Sequence, residues 1–85
     1  MQINSTEATV WSQPNCMYCD RAKVLLKAKG IKYYERVLGG GTYTKEHLLE
    51  AVPNARSVPQ IFLGEKYIGG YVELQKYLND NNKAA

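Results

Sequence analysis

Two rhythms of apolar and polar positions alternate along the chain. Ala8-Thr9-Val10-Trp11 is β-branched and aromatic, and Pro14 ends the run, which predicts a first strand over 8–12. From 18 to 29 the spacing turns helical. Ala22, Leu25, Leu26 and Lys29 share a face, with Val24 and Ala28 widening its apolar side. Lys23, Lys27 and Lys29 suit the negative helix end, and Gly30 is a ready stop. A second strand is predicted over 31–38, where Ile31, Tyr33 and Val37 stand among polar neighbours, followed by a loop at Gly39-Gly40-Gly41.

Thr44 is placed to cap a second helix running to Val52, although His47 three residues on is not the Glu or Gln of a full capping box. Pro53-Asn54-Ala55-Arg56 breaks that helix. Residues 59–63 and 66–68 then flank Gly64-Glu65, a hairpin whose leading glycine suits a type II′ turn. After Gly69-Gly70, Tyr71, Leu74, Tyr77 and Leu78 mark one side of a last helix, and the polar tail from Asn79 is expected to fray.

The predicted order is β-α-β-α-β-β-α. One right-handed crossover gives two parallel strands and the hairpin adds two antiparallel ones. The fold class is therefore α/β, a thioredoxin fold: a four-stranded mixed sheet flanked by three helices. Eighty-five residues are expected to make one domain, 1–85, with little room for a second core.

Composition narrows the function classes. Eleven basic and 8 acidic residues give a net charge of +3, but they are scattered, with no cluster of the kind that grips a phosphate backbone. Nucleic acid is disfavoured as a partner. No apolar stretch approaches membrane-spanning length, and Met1–Thr6 lacks the basic start and apolar run of a secretory leader. A cytoplasmic monomer is expected.

The chemistry lies at Cys16-Met17-Tyr18-Cys19, at the junction between the first strand and first helix. A disulfide closing so short a loop removes little chain entropy, so stapling is a poor reason for the pair. At a helix N-terminus, unpaired amides and the positive end of the macrodipole favour thiolate over thiol. Cys16 feels this most and is the nucleophile. Cys19, one turn inside, resolves the mixed disulfide. Arg21 and Lys23 either add positive potential or are solvated surface. A closed zinc site needs four ligands, and beyond the two cysteines the chain offers only His47. No metal is expected, and His47 reads as solvated surface.

Two further segments fit the same site. Pro59 after Ser57-Val58 either initiates a strand or forms a cis Val58–Pro59 bond that turns the Val58 backbone towards the cysteines. Gly69-Gly70 is either a turn or, with the helix start behind it, a place where backbone amides hold a carboxylate. The tyrosines at strand or helix periods, Tyr33, Tyr67, Tyr71 and Tyr77, read as core or half-buried packing.

From Thr9 to Leu78 the chain resembles the glutaredoxin family. The resemblance rests on Cys16-Met17-Tyr18-Cys19 with Arg21-Ala22-Lys23, on Ser57-Val58-Pro59-Gln60-Ile61-Phe62, and on Ile68-Gly69-Gly70-Tyr71. The small dithiol members, bacterial and phage, look nearest. The resemblance implies glutathione as co-substrate and reduction of glutathione-mixed and protein disulfides, with ribonucleotide reductase among the acceptors. It implies a potential of about −200 to −230 mV. It also implies a glutathione groove in which the Val58 backbone, beside Pro59, pairs with the cysteine of glutathione. Gly70, Tyr71 and Val72 hold the γ-glutamyl carboxylate, the Tyr18 ring flanks the groove, and Gln13 meets the glycine carboxylate.

Three positions depart from the family pattern. Met17 stands where proline is usual and restores an amide at the helix start. Gln13 stands where Lys or Arg is common, so it donates without charge. Val72 stands where Asp, Ser or Thr is common and offers only its backbone. Two rival functions remain: a module binding a [2Fe–2S] cluster between two chains through Cys16 and glutathione, and a thioredoxin-like protein reduced by a flavoprotein reductase. Met17 counts against the first, Gly69-Gly70 and the short N-terminus against the second.

Overall fold

The structure is a computed structural model that describes residues 7–84. Residues 1–6, on which the expectation of no leader rested, and Ala85 lie outside the described residues. The elements follow the predicted order: β1 (Ala8–Ser12), α1 (Met17–Ala28), β2 (Tyr33–Val37), α2 (Lys45–Ala51), β3 (Gln60–Leu63), β4 (Lys66–Gly69) and α3 (Tyr71–Ala84). The sheet order is β2-β1-β3-β4. β1 runs parallel to β2 and antiparallel to β3, and β3 is antiparallel to β4.

Alternation along β1 sends its residues to two cores. Ala8 and Val10 join Ala22 and Leu26 of α1, Ile61, and Leu74 and Leu78 of α3. Trp11 joins Leu48 and Val52 from the α2 side. Helices thus cover both faces of the sheet, and all three lie against the strands that carry the cysteine loop and the hairpin.

Local chemistry ends each element where a physical device exists to end it. Gly30, with φ 73°, closes α1 in a Schellman arrangement: its amide donates to the Lys27 carbonyl at 3.0 Å, and that of Ile31 donates to Leu26 at 2.9 Å. Gly64 takes φ 60° while Glu65 does not turn left-handed, as a type II′ turn requires. Thr44 caps α2, and here the sequence reading is corrected. The box is complete, because His47 Nδ1 accepts the Thr44 amide at 3.0 Å while the Thr44 hydroxyl accepts the His47 amide at 3.3 Å. An imidazole nitrogen does the work of a carboxylate oxygen.

Three other expectations are corrected. The buried stripe of α1 is Cys19, Ala22 and Leu26; Val24 and Ala28 face solvent, because the helix packs on the sheet through a narrower arc than its apolar content allows. α3 continues through Ala84 instead of fraying at Asn79, with no glycine or proline after Gly70 to interrupt it. Tyr67 is exposed rather than half-buried.

Leu26 has no accessible surface and lies in the core between α1, α3 and the sheet. Leu26→Ala is expected to cost about 2–5 kcal/mol, the lost transfer energy plus the cavity left behind. Urea denaturation with an unchanged slope checks this.

Candidate active site

The loop from β1 to α1 is shaped at its last residue. Asn15 has φ 59°, the left-handed region that Asn tolerates better than most residues, and is the sole non-glycine with positive φ among the described residues. The turn delivers Cys16 in extended conformation as the N-cap of α1. Its Sγ accepts the Cys19 amide at 3.1 Å, taking the place of the Ser or Asp oxygen found at most caps. Cys16 and Cys19 are joined in a disulfide, with Cα atoms 5.2 Å apart. Cys16 is partly accessible, whereas Cys19 is 1% exposed. The two sulfurs are therefore unequal: one is partly open and bonded by the Cys19 amide, the other is buried.

The Val58–Pro59 bond is cis, as the second reading of Pro59 had it, and the Val58 carbonyl oxygen lies 3.9 Å from Cys16 Sγ. The other residues expected at the groove are placed as follows. Gln13 lines a groove of about 550 Å³ shared with Val58. The Tyr18 and Tyr71 rings are 5.9 Å apart and tilted. A side chain on Gly70 would come 3.5 Å from the Pro59 carbonyl, so these backbones run close together. Val72 is 66% exposed on the first turn of α3.

At Gly70 the reading is refined. Its amide donates to Glu73 Oε1 at 2.9 Å, a half capping box for α3. The first-turn amides of Tyr71 and Val72 have no acceptor within the helix. Gly69 has φ 120°, and a Cβ there would stand 3.0 Å from the Glu73 Cγ, so glycine is required for this close approach.

The nearby cations divide. The Arg21 guanidinium lies 5.4 Å over the Tyr18 ring. Lys23 turns away from solvent, donating to Glu35 Oε2 at 2.8 Å with Asp20 at 3.5 Å. Its charge is thereby matched by carboxylates, not directed at the sulfurs. The Ser12 hydroxyl also donates to Glu35 Oε2, at 2.6 Å. The three tie the end of β1 to α1 and β2 directly before the cysteine loop. The hydrogen bond to Glu35 raises the Lys23 pKa, against an opposing effect of burial. Burial pushes the Glu35 carboxyl up, but hydrogen bonds from Lys23 and Ser12 and the lysine charge together bring it below its usual value.

Lys45 and Arg56 also line the groove beside Gln13, and sequence reasoning did not place them there. They lie 11 residues apart on the helix start and the loop before Val58, with no shared periodicity to mark them. Among the described residues, no group of three or more His, Cys, Asp or Glu side chains is arranged to hold a metal ion. No helix there is long and apolar enough to cross a membrane.

Residues 8–68 match the family model described as Glutaredoxin. The hybrid peroxiredoxin hyPrx5 of Haemophilus influenzae is 38% identical over 69 residues, which span 81% of this chain but 28% of that protein. The glutaredoxin of Neisseria meningitidis serogroup A is 34% identical over 68 residues, 80% of either chain. Among solved structures, the buckwheat glutaredoxin–glutathione complex is similar with a TM-score of 0.77 at 31% identity, covering 92% of this chain and 73% of that one.

Because Glu35 ionises more readily folded than unfolded, its contribution to stability is present above the ordinary carboxylate range and is lost as pH falls through its folded pKa. Lys23, shifted upward, contributes below its ordinary value and loses that contribution as pH rises through the folded one. Glu35→Gln is expected to cost up to ~1 kcal/mol near neutrality, the scale of a partly exposed pair. The gap to wild type should close as pH falls through the lowered folded pKa of Glu35, below the ordinary carboxylate range. Denaturant midpoints measured across pH test this.

Proposed function

This chain belongs to the glutaredoxin family and is a thiol–disulfide oxidoreductase, and from that premise we propose that glutathione is its reductant and glutathione-mixed disulfides its principal substrates. The observation that carries the reading is Cys16 Sγ at the helix cap, 3.1 Å from the Cys19 amide and beside the Val58 backbone.

The reaction follows from the inequality of the two sulfurs. The Cys16 thiolate, favoured by the cap amides, attacks the glutathionyl sulfur of a mixed disulfide. The substrate leaves as a thiolate and takes a proton from water, and Cys16 now carries glutathione. A second glutathione thiolate attacks that sulfur, releasing glutathione disulfide and the Cys16 thiolate. With a protein disulfide, Cys16 forms the mixed disulfide and Cys19 attacks Cys16 Sγ. This frees the reduced protein and leaves the Cys16–Cys19 disulfide, which two glutathiones reduce.

In this reading the glutathione cysteine lies along the Val58 backbone. Its γ-glutamyl carboxylate meets the Tyr71 and Val72 amides, and its glycine end enters the groove of Gln13. Lys45 and Arg56 supply there the charge that Gln13 lacks. Val72 contributes no side-chain acceptor to the γ-glutamyl amino group, so affinity at that end rests on backbone alone. Protein disulfides, that of ribonucleotide reductase among them, are the second substrate class. We infer a cytoplasmic monomer as the working state of this domain.

Serine can cap a helix but is no match for thiolate as a nucleophile. Cys16→Ser is therefore expected to fold and to lose at least ~10²-fold in glutathione-driven reduction of a glutathionylated peptide. Cys19→Ser should keep that activity within a few-fold while losing protein-disulfide reduction. Equal loss in both variants would overturn the assigned roles.

A further inference from the structure

Only two polar residues are among the buried ones described, Ser12 and Gln60. Ser12 belongs to the Glu35–Lys23 cluster. Gln60 has no part in the chemistry above, yet it is 7% exposed at the first position of β3, directly after the cis proline. An apolar side chain of the same shape would fill this space without the cost of burying an amide. Both ends of the amide are engaged instead. Its Oε1 accepts the Tyr67 hydroxyl at 2.5 Å, and its Nε2 donates to the Ser57 carbonyl at 2.9 Å.

The consequence lies one residue further on. Ser57 precedes Val58, whose carbonyl oxygen stands 3.9 Å from Cys16 Sγ. The segment leading there is anchored unevenly: Ala55 and Val58 pack against the Trp11–Leu48–Val52 core and the Ala55 amide donates to the Val52 carbonyl at 3.0 Å, but Pro53, Asn54, Arg56 and Ser57 are exposed, and Ser57 is held by the Gln60 amide. Tyr67 in turn stands on β4, where its ring packs 5.3 Å from that of Phe62 on β3. The bonds thus run from the hairpin, through one buried amide, to the loop that faces the nucleophile.

We propose that Gln60 and Tyr67 are positioning residues for the thiol–disulfide exchange, pinning Ser57 through the Gln60 amide so that the Val58 backbone is held beside Cys16 as a rigid ledge for the substrate's cysteine. This rests on the glutathione reading above. A rigid ledge lowers the entropy lost when substrate lines up for in-line attack, so its loss should appear first in KM.

The test uses Gln60→Glu, Gln60→Leu and Tyr67→Phe in the full chain. Ionised, the carboxylate of Gln60→Glu still accepts from Tyr67 but turns an oxygen, not an N–H, towards Ser57. Protonated, it has an O–H to donate. The Glu73 carboxylate, bonded to the Gly70 amide, lines the same cavity and favours that protonated form. Near neutrality, Gln60→Glu and Gln60→Leu should raise the KM for a glutathionylated peptide roughly five- to tenfold, with kcat changed less. Tyr67→Phe should give a smaller change in the same direction. As pH falls, the KM ratio to wild type should return towards one for Gln60→Glu and stay raised for Gln60→Leu. Purely structural damage would not reproduce that contrast.

Amide exchange over Ala55–Val58, measured without glutathione, should quicken in both Gln60 variants. Exchange at the wild-type rate, or KM values within twofold of wild type, would overturn the pin. Absence of glutathione turnover in wild type would instead remove the substrate reading, and the exchange comparison would still decide whether the pin exists.

Discussion

The hydrogen bond from the Cys19 amide to Cys16 Sγ is the constraint on which the rest of this structure turns. A helix must begin somewhere, and its first amides need acceptors that the helix itself does not provide. Here the acceptor is sulfur. In the proposed reaction the interaction that starts α1 also stabilises negative charge on Cys16 Sγ, so folding and reactivity share one contact. Lys23 is matched by two carboxylates and Arg21 rests on a ring, so the two cations nearest to Cys16 in sequence are engaged with other partners.

What surrounds that contact gives it direction. The sheet order places the end of β1 next to the start of β3, so the cysteine loop and the cis-proline loop meet from opposite ends of the sequence. Burial of Cys19 behind a partly accessible Cys16 makes the two sulfurs unequal without any difference in residue type, as the proposed attacking and resolving roles require. On the α2 side two cations line the groove; on the α3 side the Gly70 amide is already engaged by Glu73. The groove is thus electrostatically uneven, with its cationic end away from α3.

Much of this was legible in the chain because the residues concerned act locally. Gly30 stops a helix, Gly64 turns a hairpin and Thr44 caps α2 through devices that span three or four residues. The cysteine spacing and its place at a strand-to-helix junction belong to the same class. What escaped depends on distant partners or on unusual chemistry. His47 completes a capping box because Nδ1 is an acceptor, which a pattern written for Glu and Gln does not capture. Val24 and Ala28 are apolar but fall outside the arc that α1 turns to the sheet. The Gln60–Tyr67 contact depends on how β3 and β4 pair across an irregularity at Ile61 and Phe62, and no local pattern encodes that. Asn15 adopts its left-handed turn within a loop where several residues would look equally suitable.

The most direct test of the account is the ionisation of Cys16 in the reduced protein, followed by ultraviolet thiolate absorbance in a Cys19→Ser background so that one sulfur reports. Held by helix-opening amides, Cys16 should titrate well below the free-thiol value of about 8.5, within the range of roughly 3.5–7.5 found at helix N-termini. A midpoint at the free-thiol value would mean that the cap bond does not activate the sulfur, and the link between the start of α1 and catalysis would be broken.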